Sequence, residues 1–154
     1  MGAVFFYHLT ASPLEVTLPA LLGKARAAGW RVVVRACSEE RLAWLDEKLW
    51  LGHEEDFLPH GLAGGEFDAD QPILLTTGAG AGNGATCIMA IDGAAVTKDE
   101  VAEMERVCIL FDGNDHQALE LARKQWKELS DAGCDAQYWS QERGKWVMKV
   151  KTDA

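Results

Sequence analysis

Arg31-Val32-Val33-Val34-Arg35-Ala36-Cys37 is the stretch of sequence that decides the fold. A run of adjacent β-branched residues is typical of a parallel strand that is buried on both faces of its sheet. Upstream lie another short apolar run, Val4–His8, and then a helical pattern that begins at Ser12 and stops at Gly29. Serine is a preferred N-cap, and glycine readily ends a helix. A strand, a helix and a second strand in this order predict a βαβ unit.

The rest of the chain continues to alternate strands and helices. Ser38 predicts the cap of a second helix that runs to Leu51, and a long loop is expected between Gly52 and Pro72. The other predicted elements are strands at Ile73–Thr76, Cys87–Ile91 and Val107–Phe111, helices at Lys98–Glu105 and Asp115–Ala132, and a weak hairpin of Ala136–Trp139 with Trp146–Val150. This alternation predicts a single α/β domain over residues 1–154, with three α/β/α layers and an open, mostly parallel sheet. Residues 145–154 are expected to form a loose C-terminal extension.

The composition narrows the function classes. The 154 residues carry a net charge of −9, which is unfavourable for a broad nucleic-acid surface because phosphate binding requires a clustered positive field. No apolar run approaches the roughly 18–20 residues that span a bilayer, and the N-terminus lacks the basic segment of a signal peptide. The four cysteines are scattered and form no Cys-x-x-Cys pair. We therefore expect reduced thiols in a bacterial-type cytoplasm, with no metal and no cofactor.

Gly78–Gly84 is a glycine-rich stretch that raises a nucleotide-binding alternative. A dinucleotide fingerprint requires glycine where Asn83 stands, and a P-loop requires Gly-Lys followed by Ser or Thr, which is missing. The stretch also lies between two predicted strands, whereas both motifs open a helix. We interpret it as a hairpin or crossover loop. An enzyme that binds a nucleotide there is the alternative hypothesis.

Two helices carry more apolar surface than their core faces need. The predicted core faces are Leu14, Leu18, Leu21, Ala25 and Ala28 in the first helix, Leu42, Leu45 and Leu49 in the second, and Ala118, Leu121, Ala122, Leu129 and Ala132 in the last. In the second helix, Trp44 and Leu51 lie opposite the core face and Trp50 points to one side. This excess indicates a surface that is either deeply buried or covered by a partner.

In the last helix, Arg123, Trp126 and Lys127 are spaced i, i+3 and i+4, so they are neighbours on a face that adjoins the core face. A guanidinium, an indole and an ammonium group together can hold a carboxylate beside an apolar group. The charge pattern agrees, since residues 120–154 carry seven Lys and Arg against six Asp and Glu, whereas residues 1–119 carry eight against 18. A solvated surface face is the alternative interpretation.

The residues around these surfaces resemble a known family. The matching motifs are Phe5-Phe6-Tyr7, Trp44-Leu45-Asp46-Glu47-Lys48-Leu49-Trp50, Phe57-Leu58-Pro59-His60-Gly61, Gln71-Pro72-Ile73-Leu74-Leu75, Glu105-Arg106-Val107, Phe111-Asp112-Gly113 and Leu121-Ala122-Arg123-Lys124-Gln125-Trp126-Lys127. In this order they resemble the chi subunit of bacterial DNA polymerase III holoenzyme, of alphaproteobacterial type. The resemblance spans nearly the whole chain, and the joint pattern is more specific than any one motif.

The resemblance implies a non-catalytic accessory subunit in DNA replication. Chi subunits link the clamp loader, through the psi subunit, to the acidic C-terminal tail of single-stranded DNA-binding protein. The family residues that bind this tail match Arg123, Trp126 and Lys127, and those that contact psi or a helicase match Trp50 and Phe57. DNA is then contacted only indirectly, and no membrane is involved. An interaction module outside replication is the remaining alternative.

The chain departs from the family pattern at one position of the tail-binding helix. A further tail-binding lysine of the family, four positions before the arginine, corresponds here to Leu119. The pocket is therefore expected to be weaker or to use other lysines. Lys145 and Lys149 of the terminal hairpin are candidates for that role.

Overall fold

The computed structural model describes residues 3–10, 14–50, 60–62, 70–77, 83–142 and 145–151. The helices are α1 (Leu14–Ala27), α2 (Glu39–Trp50), α3 (Lys98–Glu103) and α4 (His116–Asp131). The strands are β1 (Ala3–Leu9), β2 (Val32–Arg35), β3 (His60–Leu62), β4 (Ile73–Thr76), β5 (Cys87–Ile91), β6 (Arg106–Asp112), β7 (Asp135–Glu142) and β8 (Lys145–Lys151). Across these described ranges, no helix is long and apolar enough to cross a membrane.

The described strands form one sheet in the order β3-β4-β2-β5-β6-β1-β7-β8. Every neighbouring pair is parallel except the terminal hairpin, in which β7 and β8 run antiparallel. The valine run forms β2 near the middle of the sheet, and Val32, Val33 and Val34 are fully buried. The strands of the predicted βαβ unit, β1 and β2, are not neighbours, because β5 and β6 lie between them.

The period-two alternation of the strands divides the core into two layers. Val4 and Phe6 of β1 lie in the cluster that α3 and α4 cover, whereas Tyr7 and Leu9 lie in the cluster that α1 and α2 cover. The helices thus pack on both faces of the sheet, two on each side. The prediction of a three-layer α/β/α domain with an open, mostly parallel sheet is confirmed.

The helix boundaries follow the capping signals closely, but the buried face of α1 differs from the prediction. Ser38 caps α2, since its Oγ accepts a hydrogen bond from the backbone N–H of Arg41 at 3.2 Å. In α1, Leu22 is fully buried where Leu21 was expected, and Ala28 is exposed. Leu21 and Leu22 are adjacent and both apolar, so the sequence pattern could not decide between them.

The predicted loop over residues 52–72 is wrong at His60–Leu62. These residues form the short edge strand β3, which pairs in parallel with β4. A three-residue strand that contains glycine carries almost no periodic signal, and glycine is a weak strand former. His60 is buried, and its Nε2 lies 3.1 Å from Oδ1 of Asp46, so the edge strand is tied to α2.

The glycine-rich stretch joins β4 to β5, and both strands pair with β2 on opposite sides. The connection is therefore a crossover, not a hairpin. Residues 78–82 lie outside the described part of the chain, but Asn83 is buried and its Nδ2 donates to the backbone oxygens of Val32 at 3.1 Å and Gln71 at 2.8 Å. The asparagine thus fastens the end of the crossover to β2 and to the chain just before β4.

Candidate functional site

The helix α4 carries the residues expected to bind an acidic tail, and both of its ends are fixed. The N-cap is Asp115, whose Oδ1 accepts hydrogen bonds from the backbone N–H groups of Gln117 at 3.0 Å and Ala118 at 3.4 Å. Gly133 follows the C-terminal end with φ of 87°, a conformation that favours glycine. The predicted helix from Asp115 to the Gly133 stop is confirmed within one residue at each end.

The buried face of α4 is rotated from the predicted one. Ala122 and Leu129 are buried as expected, but Leu121 is 39% exposed and Ala132 lies at the surface. The indole of Trp126 packs against the core instead. Arg123 and Lys127 are exposed and are neighbours of this half-buried indole on the helix surface.

Trp126 packs on a group of aromatic rings contributed by neighbouring strands. Its ring meets Phe6 of β1 edge-on at 5.3 Å between centroids and Tyr138 of β7 at 6.1 Å. Tyr138 in turn lies 5.9 Å from Phe111 of β6. Edge-to-face pairs at such distances stabilise a fixed relative orientation. The indole beside Arg123 and Lys127 is therefore held in a fixed orientation, and it is called the Trp126 shelf below.

His8 extends the aromatic group at the carboxyl end of β1. Its Nδ1 lies 2.8 Å from the hydroxyl of Tyr138, and its ring centroid lies 5.2 Å from that of Phe111. The Nε2 edge of the ring faces Gly113, whose missing side chain leaves the space that the imidazole occupies. The His8 ring is thus held by strand neighbours on one side and by a glycine turn on the other.

The positive charge of Arg123 affects the pKa values of His8 and Tyr138 in this aromatic group. Burial lowers the pKa of His8, and the positive charge of Arg123 lowers it further. The Gly113 backbone and the Asp112 carboxylate act in the opposite direction but do not cancel this lowering. Burial raises the pKa of Tyr138, while Arg123 opposes that rise. His8 and Tyr138 are consequently neutral at pH 7. The positive charge beside Trp126 therefore comes from the exposed cations of α4 and not from His8.

The exposed cations of α4 differ in their surroundings. Lys124 faces Glu128 at 4.0 Å and His116 faces Glu120 at 3.2 Å, both one helical turn apart. Across the part of the chain that the structure describes, neither Arg123 nor Lys127 pairs with a carboxylate. An arginine and a lysine without carboxylate partners, both exposed beside an indole in a fixed orientation, can bind an anionic group next to an apolar one.

The structure brings together the predicted residues Arg123, Trp126 and Lys127, and it adds residues that the sequence analysis missed. The missed residues are His8, Phe111 and Tyr138, which support the Trp126 shelf. One signal could have indicated two of them. His8 and Phe111 lie at the ends of predicted parallel strands, and the carboxyl ends of such strands meet at one edge of a sheet, where ligand sites are common.

The second predicted surface is only partly described. Trp50 is the last residue of α2, and Phe57 lies outside the described residues. The structure does describe Trp44, which the sequence analysis placed opposite the core. That placement is wrong, because Trp44 is half-buried against the core cluster, with the guanidinium of Arg41 4.1 Å above its ring.

The comparison with protein families now adds to this geometry. Residues 1–137 match the sequence model of the family described as DNA polymerase III chi subunit, HolC. The chain belongs to this family. A comparison with curated proteins gave no match. The matched range contains all of the chi family's motifs quoted above, together with α4, His8 and Phe111, and it ends within β7, one residue before Tyr138. As a member of the chi family, the chain is an accessory subunit of DNA polymerase III and associates with that complex.

Substituting Gly113 tests the glycine turn beneath His8. A Cβ atom at this position would collide with the His8 ring and would lie 3.0 Å from the backbone oxygen of Leu9. We expect Gly113→Ala to lower the free energy of unfolding by about 1–3 kcal/mol, as overpacked sites do. Urea denaturation followed by tryptophan fluorescence measures this change.

Gly23→Ala is the matched control for that experiment. Gly23 lies inside α1, has no positive φ, and a Cβ atom there would meet nothing within 4 Å. Alanine is the better helix former by about 1 kcal/mol, so this variant should be as stable as the wild type or more stable. A Gly113→Ala variant that matches Gly23→Ala in stability would contradict the close packing of His8 on the turn.

Proposed function

We propose that this chi subunit is a non-catalytic cytoplasmic adaptor that links the clamp-loader part of DNA polymerase III to the acidic C-terminal tail of single-stranded DNA-binding protein. The observation that supports this proposal is the arrangement on α4, where Arg123 and Lys127 are exposed next to the half-buried indole of Trp126. Family membership supplies the replication context. The arrangement offers binding groups without a nucleophile, which suits docking.

The proposed contact divides the tail between two kinds of surface. The terminal carboxylate binds the Arg123 guanidinium, which offers two parallel N–H donors, and the acidic residues before it are attracted by Lys127. The apolar terminal side chain lies on the indole edge of Trp126 and on Leu119, one turn before Arg123. Leu119 is half-buried in the same cluster as Trp126. Compared with the lysine that the family has at this position, Leu119 therefore preserves the apolar part of the contact but supplies no positive charge.

The test is titration calorimetry with a synthetic acidic peptide that ends in Pro-Phe. We expect saturable binding that weakens by about tenfold when the peptide's C-terminal carboxylate is amidated, because the amide loses the charge that Arg123 recognises. Raising the salt concentration should weaken binding further through the screened lysine contacts. Equal affinity for the free and amidated peptides would contradict a carboxylate-binding site.

We further propose that Trp50 and Phe57 form a second docking surface, for the psi subunit or a helicase. The second helix already fills its core face with Leu42, Leu45 and Leu49, all buried. We expect Trp50→Ala to weaken psi or helicase binding by about 1–2 kcal/mol, as truncation of an interface aromatic does, and to leave tail-peptide affinity unchanged. Pull-down and calorimetry with each partner measure the two effects. A parallel loss of both activities would contradict two separate surfaces.

The adaptor proposal also predicts that the isolated protein does not bind single-stranded DNA usefully. The net charge of −9 provides no electrostatic attraction to a phosphate backbone. Fluorescence anisotropy with a labelled oligonucleotide near physiological salt should show no saturation in the micromolar range. Saturable micromolar binding would place direct DNA contact among the functions of this chain.

A further inference from the structure

Within the described ranges of the chain, helices cover only part of the sheet face opposite α4. Eight strands at a spacing of about 4.8 Å make a sheet roughly 38 Å wide, whereas two helices about 10–12 Å in diameter cover little more than half of it. On this face α1 and α2 occupy one part, and the C-terminal hairpin β7–β8 lies beyond α1. A cavity of about 360 Å³ lies between α1, the sheet and the hairpin. That volume falls in the range of sites that hold small molecules.

Aromatic side chains form much of the cavity wall. Tyr7, Trp30, Trp139 and Trp146 all line it. The rings of Tyr7 and Trp146 meet edge-on at 5.2 Å between centroids, so this part of the wall is preorganised. Three indoles around one cavity present flat apolar faces, and a flat ring is the ligand shape that packs best against them.

The charged groups of the cavity are both cations. Lys24 of α1 and Arg106 of β6 line it, and none of the described lining residues carries a carboxylate. The Arg106 guanidinium lies 4.0 Å from the ring centroid of Phe5 and 5.4 Å from that of Trp30. Its Nε is buried and has no hydrogen-bond partner among the described residues. The guanidinium as a whole lines the cavity, and a charged donor group of this kind forms strong hydrogen bonds with an anion.

Two other titratable groups that line the cavity, Tyr7 and Cys108, are uncharged near neutral pH. Burial raises the pKa of Tyr7, and the Arg106 charge opposes that rise only in part. A hydrogen bond with Cys87, together with burial, raises the pKa of Cys108. The cavity is therefore positive, apolar and aromatic.

We propose that this cavity binds a small planar aromatic molecule that carries one anionic group, a carboxylate or a phosphate. The ring packs between the indoles of Trp30, Trp139 and Trp146, and the anion accepts hydrogen bonds from Arg106. Lys24 contributes long-range attraction from the rim on α1. This site is independent of the proposed tail contact, since Trp126 and its aromatic supports pack on the opposite face of the sheet.

The test is a nuclear magnetic resonance titration that follows the indole N–H signals of the full chain. The probes are naphthoate, its neutral analogue naphthamide, the non-aromatic cyclohexanecarboxylate, and adenosine monophosphate. We expect naphthoate to shift the signals of Trp30, Trp139 and Trp146 saturably. Naphthamide, which lacks the charge, and cyclohexanecarboxylate, which lacks the aromatic ring, should each bind at least about tenfold more weakly. If adenosine monophosphate binds more tightly than naphthoate, the natural anion is a phosphate. If naphthoate binds more tightly, the natural anion is a carboxylate.

Two results would overturn the proposal. One is the absence of saturation with both naphthoate and adenosine monophosphate. The other is equal affinity for naphthoate and naphthamide, because the cations would then have no role.

Substitutions of the two cations that line the cavity test whether naphthoate binds there. Arg106→Gln should weaken naphthoate binding by about tenfold and leave naphthamide binding unchanged, and Lys24→Gln should weaken naphthoate binding by about threefold. Lys127→Gln is the matched control on α4, and it should change neither naphthoate binding nor naphthamide binding. If Arg106→Gln does not fold, the exposed Lys24 decides the question, and unchanged naphthoate affinity in Lys24→Gln would overturn the site.

Discussion

Replacing Arg35 with leucine is expected to lower the free energy of unfolding by about 3–5 kcal/mol, because it leaves a partner carboxylate without its cation in a largely buried place. Arg35 ends β2 and is only 4% exposed. Its guanidinium donates to Oε1 of Glu100 at 2.9 Å and to Oε2 at 2.5 Å, and also to the backbone oxygen of Ala95 at 2.9 Å. Glu100 lies in α3, so this ion pair joins the middle of the sheet to a helix of the opposite layer.

Arg41→Leu is the matched control for Arg35→Leu. Arg41 pairs with Asp92 at 2.6 Å, but both side chains are about one-third exposed. Exposed pairs contribute about 0–1 kcal/mol, so this variant should lose about 1 kcal/mol or less, including its contact with the Trp44 ring. Urea denaturation followed by tryptophan fluorescence compares the two variants. Equal losses would show that burial does not distinguish the two pairs.

The ion pair of Arg35 also predicts a pH dependence. Hydrogen bonds from Arg35 are the largest cause that lowers the pKa of Glu100 in the folded protein. A carboxyl group whose folded pKa is lowered stabilises the protein fully above its unfolded pKa, and this stabilisation is lost as the pH falls through the folded value. The stability difference between the wild type and Arg35→Leu should therefore be largest at neutral pH and should narrow as the pH falls through the range in which carboxyl groups titrate. A difference that widens in acid would contradict this role of Glu100.

The layers and most elements of this fold could be predicted because their signals are local. The valine run of β2, the Ser38 cap and the Asp115 cap with its Gly133 stop each lie within a few residues of the structure that they specify. The order of the strands could not be predicted in the same way. β5 and β6 insert between β1 and β2, and this insertion depends on pairings between residues that are far apart in sequence.

The orientation of α4 shows why the site was only partly predictable. Its sequence contains two overlapping apolar stripes, one through Leu121 and one through Trp126, and helical periodicity fits both. Trp126 faces inward because Phe6 and Tyr138 provide a packing surface for an indole. Those partners lie on β1 and β7, which the helix sequence cannot reveal. The roles of Arg123, Trp126 and Lys127 in binding remain predictions, as do those of Trp50 and Phe57.

The Arg123→Ala variant is expected to bind the acidic tail peptide about tenfold or more weakly than the wild type. A charge-assisted hydrogen bond between a guanidinium and a carboxylate contributes about 1.5–3 kcal/mol, and 1.4 kcal/mol corresponds to about tenfold in affinity. Arg123 is exposed and lies outside the core cluster, so its truncation should leave the fold intact. Arg123→Lys should restore only part of the affinity, because an ammonium group keeps the charge but lacks the two parallel donors.

Lys124→Ala is the matched control for Arg123→Ala, since it removes one cation at the next position of the same helix. The ammonium group of Lys124 faces Glu128 at 4.0 Å, so it is less available to a peptide, and its loss should change affinity by less than about threefold. A parallel unfolding experiment on each variant separates lost contacts from lost folding.

A double-mutant cycle assigns the carboxylate to Arg123 itself. The wild type and Arg123→Ala are each titrated with the free and the amidated peptide by calorimetry. If the guanidinium binds the terminal carboxylate, the two changes remove the same hydrogen bonds, and together they should cost less than the sum of their separate effects. Additive losses would indicate that the carboxylate binds elsewhere, with Lys127 as the next candidate. Wild-type affinity in Arg123→Ala would remove this residue from the site, and the half-buried Trp126 shelf would then serve the core alone.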